Sequence, residues 1–192
     1  MAHGVNPRVD APGRALEAPV PLAPAPRTDE HRFMKRSRAL KPLSSDHHQA
    51  LLIAFQLKQG LAGHAESAGA PKDLPGLLAL ARRFEEQLLK AHMRSEEDLL
   101  GRFIAAADMA RLRADHTELA RLMDVSRTAA PGELRANLGA FAELVERHVR
   151  WEERELFPYA ERHADEATLA TLAGELEKRL VLARSDSKLA RR

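Results

Sequence analysis

The sequence predicts an all-α protein: an antiparallel up-down four-helix bundle, preceded by a disordered tail and followed by a short fifth helix. Three observations predict it. Aromatic residues are only 4% of the 192, while alanine and leucine abound, a balance that favours helix over sheet. Four long stretches repeat their apolar residues at steps of three and four and are joined by short loops marked by glycine and proline, the pattern of antiparallel neighbours. One compound motif occurs twice: an Asp-His pair, then His-x-x-x-Glu-Glu.

Taken in order, residues 1–39 are rich in Ala, Pro and Arg, show no apolar period and read as disordered. A basic cluster from Arg32 to Lys41 reads as a solvated tail, with docking of an anionic protein partner as the sharper alternative. The bundle is expected over residues 40–162. Its first helix runs from about Ser45 to Leu61, with Ser44 as candidate cap and Leu51, Ala54, Phe55 and Leu61 as apolar stripe. Gly60, Gly63, Gly69 and Pro71 mark a loop. Pro75-Gly76 starts the second helix, which reaches about Leu100 on a stripe of Leu77, Ala81, Phe84, Leu88, His92, Glu96, Leu99 and Phe103. The third helix, about Ala105 to Thr128, carries Met109, Leu112, His116, Leu119, Ala120 and Met123 on one face. After the break at Pro131, the fourth runs from about Gly132 to Glu161 with Leu138, Phe141, Leu144, Val145, His148, Glu152, Leu156 and Tyr159; Pro158 is expected to kink or end it. Residues 163–192 are expected to form a fifth helix over Ala167–Ala183, with Leu169, Leu172, Leu176 and Leu180, and then a frayed basic tail.

Composition removes several function classes. The absence of cysteine excludes disulfides, cysteine-ligated clusters, thiolate zinc sites and a cysteine nucleophile in this chain. A net charge of +2 is close to balance and gives no ground for nucleic-acid binding. No apolar run approaches the roughly 20 residues that span a bilayer. Pro19, Pro21, Pro24 and Pro26 interrupt what could have been a signal core, so a cytoplasmic protein is expected.

The duplicated motif carries the chemistry. It reads Asp46-His47, then His92 to Glu96-Glu97; and Asp115-His116, then His148 to Glu152-Glu153. Each His-x-x-x-Glu spacing stacks the two side chains one helical turn apart on one face. That face is the apolar one: His92 and Glu96 continue the stripe of Phe84 and Leu88, and His148 and Glu152 that of Phe141 and Leu144. His116 lies between Leu112 and Leu119. A carboxylate in an apolar core costs several kcal/mol unless it is paired or neutralised. Two carboxylates and four histidines converging from four helices therefore call for a cation. Imidazole and carboxylate without thiolate suit iron, manganese or zinc. If Glu96 and Glu152 each bridge two ions, two histidines per ion bring each to four protein ligands, and the open positions fit dioxygen, peroxide or nitric oxide. Glu97, Glu153 and Glu155 are expected mostly in surface salt bridges, with a supporting role at the site open to Glu97 and Glu153. His3, His31, His64 and His163 receive no role.

On Leu43 to Leu51, His92 with Glu96-Glu97, Asp115-His116, and His148 through Leu156-Phe157-Pro158, the chain resembles the hemerythrin-like family, also called the HHE cation-binding domain, over about residues 40–162. The resemblance implies a four-helix bundle around a non-heme di-iron centre with two bridging carboxylates. Carried over by position, it implies His92, His116, His148, Glu96 and Glu152 as ligands, with one histidine of the first helix. His47 matches His116 in following an aspartate and lying four residues after a leucine; His48 matches it in lying three before a leucine. His47 is preferred to His48; neighbouring helical positions point about 100° apart, so one of the two rather than both is expected at the centre. The family's oxygen carriers use five histidines and only four are placed here, which turns the expectation from reversible oxygen carriage to sensing, stress response or iron and oxygen handling. The expected role is metal and small-ligand binding rather than catalysis. Reduction of peroxide or nitric oxide, and an iron-dependent interaction module docking through the basic tails, are the rivals.

Overall fold

The computed structural model describes Met1 and residues 37–189, with side chains through Leu180, and among these residues it is helical without a strand. The disordered tail and most of the basic cluster expected from the sequence lie outside the described residues. The order is α1 (Lys41–Leu61), a short α2 (Ala65–Ala68), α3 (Leu74–Phe84), a π-turn (Glu85–Leu89), α4 (Lys90–Leu100), α5 (Ala106–Val125), α6 (Pro131–Trp151), a second π-turn (Glu152–Leu156), α7 (Phe157–His163) and α8 (Glu166–Leu189). No helix among the described residues is long and apolar enough to cross a membrane.

Local chemistry explains most boundaries. Asp73 caps α3 by accepting a hydrogen bond from the Gly76 backbone N–H at 2.7 Å, and Pro75 occupies the first turn, where a missing donor costs nothing. Pro131 opens α6 in the same way, and the Glu133 carboxylate accepts from the Ala130 N–H. Three expectations are corrected. Ser44 does not cap α1, because Pro42 already starts the helix a turn earlier; the Ser44 hydroxyl instead donates to Glu153. Gly60 lies inside α1 rather than in the loop. Pro158 does not end the helix: the wide π-turn before it resets the hydrogen-bond ladder, and α7 continues from Phe157. The last helix also runs further than expected, to Leu189.

Packing pairs α1 with α6, α5 with α6, α1 with α3 and α4 with α8. The buried apolar residues fall into two clusters. One gathers Ala54, Leu57, Leu77, Phe84, Leu119, Met123, Leu138 and Phe141. The other gathers Leu40, Leu43, Leu99, Leu112, Trp151, Leu156 and Phe157, and α8 closes it with Leu172, Leu176 and Leu180. On α1 the buried face is Leu43, His47, Ala50, Ala54 and Leu57; Phe55, expected inside, is 50% exposed. On α5 Ala120, also expected inside, is exposed. Along each long helix the stretch between the two clusters carries the histidines and glutamates of the duplicated motif.

Gly60 permits the close approach of α1 to α3. A Cβ there would stand 2.6 Å from Leu77 Cδ2 and 3.1 Å from the Pro71 carbonyl oxygen. Leu77 is buried and has little room to yield, so Gly60→Ala is expected to destabilise the fold by about 1–3 kcal/mol, read as a lowered midpoint of thermal unfolding.

Candidate metal centre

Four helices deliver the site. α1 supplies Asp46 and His47; α4 supplies His92, Glu96 and Glu97; α5 supplies Asp115 and His116; α6 supplies His148, and the π-turn that follows supplies Glu152 and Glu153. The spacing of four places each glutamate beside its histidine: His92 Nε2 is 2.9 Å from Glu96 Oε1, and His148 Nε2 is 3.4 Å from Glu152 Oε1. None of His47, His92, Glu96, His116, His148 and Glu152 is more than 4% exposed. The structure brings these six together and leaves His48 out. One step round α1 from His47, His48 is exposed.

The six form two groups with common members: His47, His92, Glu96 and Glu152, and His116, His148, Glu96 and Glu152. In each group the donor atoms lie within 4.8 Å of one another. Each shared carboxylate turns one oxygen to each group. Glu96 Oε1 faces His92 and His47, at 2.9 and 3.5 Å, while its Oε2 faces His116 at 3.4 Å. Glu152 Oε2 faces His47 at 3.1 Å, while its Oε1 faces His148 at 3.4 Å.

Behind the rings stand more carboxylates. His47 Nδ1 donates to Glu153 Oε1 at 2.7 Å, His116 Nδ1 to Glu97 Oε1 at 2.8 Å, and His148 Nδ1 to Asp115 Oδ2 at 3.2 Å. Asp46 Oδ2 stands 3.5 Å from His92 Nδ1, an ion-pair distance rather than a hydrogen bond. An ionised carboxylate only accepts, so the ring must carry its proton on Nδ1, and in a neutral ring that leaves a lone pair on Nε2. These Nε2 atoms meet head to head, 3.0 Å apart for His47 and His92 and 3.2 Å for His116 and His148. All four oxygens of Glu96 and Glu152 are buried and receive no hydrogen bond within the protein. Lone pairs and anionic oxygens aimed at one another are stable only with positive charge between them. The residues therefore fit metal cations.

Without metal, protons must supply that charge. Burial works to lower the pKa of His47, but the neighbouring carboxylates of Glu152, Glu153 and Glu96 outweigh it and hold the ring well above its usual value. For His92 the same contest of burial against Glu96 and Asp46 ends at about 9. His116 is raised by Glu96 and Glu97 against burial. Burial would raise Glu96, yet His92, His116 and His47 hold it well below the carboxylate range. Metal loading near neutral pH is thus expected to release protons, measurable by calorimetric titration in buffers of different ionisation enthalpy.

Sequence reasoning left the outer carboxylates largely unassigned. The signal for them was present in the repeat itself, in the Asp of each Asp-His and the second Glu of each Glu-Glu. It also did not place Phe157, whose ring stacks on His47 with centroids 5.2 Å apart and planes 15° apart. Tyr159, two residues on, stacks on His163 instead.

Fold and site together define an all-helical protein with a buried histidine–carboxylate centre suited to metal cations. Residues 107–181, from α5 into α8, match the family model of the hemerythrin HHE cation binding domain and take in His116, His148 and Glu152. This part of the chain is similar to that family, as the motif had indicated. Neither the curated proteins nor the solved structures returned a match to the chain.

Proposed function

We propose that the chain is a non-heme di-iron protein that binds a small ligand, dioxygen, nitric oxide or peroxide, in sensing, stress response or the handling of iron and oxygen. In this reading α1, α3 with α4, α5, and α6 with α7 make the antiparallel four-helix bundle of the hemerythrin kind. The supporting observation is the division of Glu96 and Glu152, each offering one oxygen to either group of histidines. His47 and His92 would hold one ion, His116 and His148 the other, and the two carboxylates would bridge them. Iron bound there would supply open coordination positions and a change of oxidation state. Manganese and zinc fit the same donors.

Binding is favoured over turnover by what surrounds the set. Among the described residues, the other buried polar side chains are engaged elsewhere: Ser95 with the Ala91 carbonyl, Ser126 with the Leu122 carbonyl, Glu85 with Arg127 and Lys90. Among the described residues, no buried proton donor beyond the ligands and the carboxylates behind them adjoins the centre. The symmetric pairs of histidines speak for sensing or redox response rather than reversible oxygen carriage. A cytoplasmic location, and a protein partner docking on the basic tails, belong to the same proposal.

The test is metal analysis with optical spectra of the anaerobically reduced protein, before and after oxygen and then nitric oxide. Two irons per chain and a charge-transfer band that responds to either gas are expected, and His148→Ala should abolish the band. One tightly held ion, or none, would defeat the reading.

A further inference from the structure

Glu96 and Glu97 are chain neighbours, about 100° apart around their helix. Glu96 points between the two groups; Glu97 reaches across to α5 and accepts a hydrogen bond from Nδ1 of His116. Glu152 and Glu153 repeat this on the opposite side: Glu152 enters the centre and Glu153 reaches α1 and the ring of His47. The outer glutamate of each repeat therefore serves the histidine of the other. Glu97 belongs to the helix that carries His92, a ligand candidate of the first group, yet it holds a ring of the second. Glu153 follows His148, of the second group, and holds a ring of the first.

We propose that Glu97 and Glu153 are positioning residues that lock the two halves of the duplicated sequence crosswise, each fixing the tautomer and direction of one histidine for the ion of the opposite half. The proposal rests on the two-ion reading above. Both glutamates are about a third exposed, at 32% and 30%, so each joins a buried ring to the surface. Both are also tied in place from outside the centre: Glu153 accepts from the Ser44 hydroxyl at 2.7 Å, and Arg113 stands 3.6 Å from Glu97 Oε2. An acceptor behind a metal-bound imidazole orients the ring and raises its basicity, and its loss typically weakens metal binding about 10–100-fold. The crosswise pattern makes the consequence specific. Loss of Glu97 should weaken the ion at His116 and His148 and spare the one beside its own helix neighbour His92; loss of Glu153 should do the reverse.

The test uses the full chain loaded with Zn(II), which is diamagnetic and fits the same donors. Nitrogen-15 NMR of the imidazole rings reports the tautomer of each histidine, and a competition titration reports each zinc affinity. In the unaltered chain His47 and His116 should both carry the proton on Nδ1. In Glu97→Ala the His116 signal should change while His47 and His92 keep theirs, and one of the two zinc ions should bind about 10–100-fold more weakly. Glu97→Gln, which keeps an acceptor oxygen, should lose less and serves as the test if the alanine variant fails to fold. Unchanged zinc affinity, or a loss on the His47–His92 ion instead, would overturn the proposal. Failure of the unaltered chain to take up two ions would strike the two-ion reading itself and, with it, the crosswise assignment.

Discussion

Glu152→Ala is expected to lose both metal ions at once. Its Oε2 faces His47 in one group and its Oε1 faces His148 in the other, so one substitution removes a donor from each. It also removes half of the central negative charge that makes the site attractive to a cation. The loss of affinity should exceed the roughly 10–100-fold typical of a residue that only supports a ligand. The contrast lies in two neighbours. Glu155, three residues on, is exposed, and His48, beside His47, is exposed as well. Glu155→Ala and His48→Ala should keep full metal content and an unaltered spectrum. Metal analysis after dialysis against a weak chelator distinguishes these outcomes. A Glu152→Ala protein that retained one ion at full affinity would show that this carboxylate serves a single position.

The centre was legible because its two signals reinforce each other. The spacing of four marks a shared helical face, and the repetition of that spacing on an apolar stripe marks the face as internal. The remainder was hidden for physical reasons. On α1 two stripes satisfy steps of three and four: one through Leu51 and Phe55, and one through Leu43, His47, Ala50, Ala54 and Leu57. Only the second is in phase with the ligand histidine, and it is the buried one. The π-turns at Glu85–Leu89 and Glu152–Leu156 insert a single residue into a ladder and barely disturb an apolar period that already alternates between three and four. Glu97 and Glu153 look like surface acids because each lies one position round from an internal glutamate. Their partners belong to other helices, and a periodicity within one helix carries no information about what faces it.

Metal removal should produce the second large effect, and its size should depend on pH in a defined direction. The polar layer parts the two apolar clusters, and its charges must be balanced for the helices to close on it. In the metal-free protein, protons do this. His92 is raised from 6.5 to about 9, so its contribution to stability is complete below pH 6.5 and disappears as the pH rises through about 9. His47 and His116 are shifted in the same direction. Glu96, held low, contributes above about pH 4.5 and fails only in stronger acid. The metal-free fold should therefore be firmest in mild acid and weaken steadily into alkali. A bound metal reverses the trend, because rising pH removes the protons that compete for its ligands. With free metal about a thousandfold above its dissociation constant, binding contributes about 4 kcal/mol. At this chain length that corresponds to roughly 8–16 °C in the unfolding midpoint. Thermal unfolding of metal-free and metal-loaded protein across this pH range should show a gap that widens from mild acid to alkali. A gap of constant width would mean that metal and protons do not compete for the same histidines, and the site would have to be sought elsewhere in the protein.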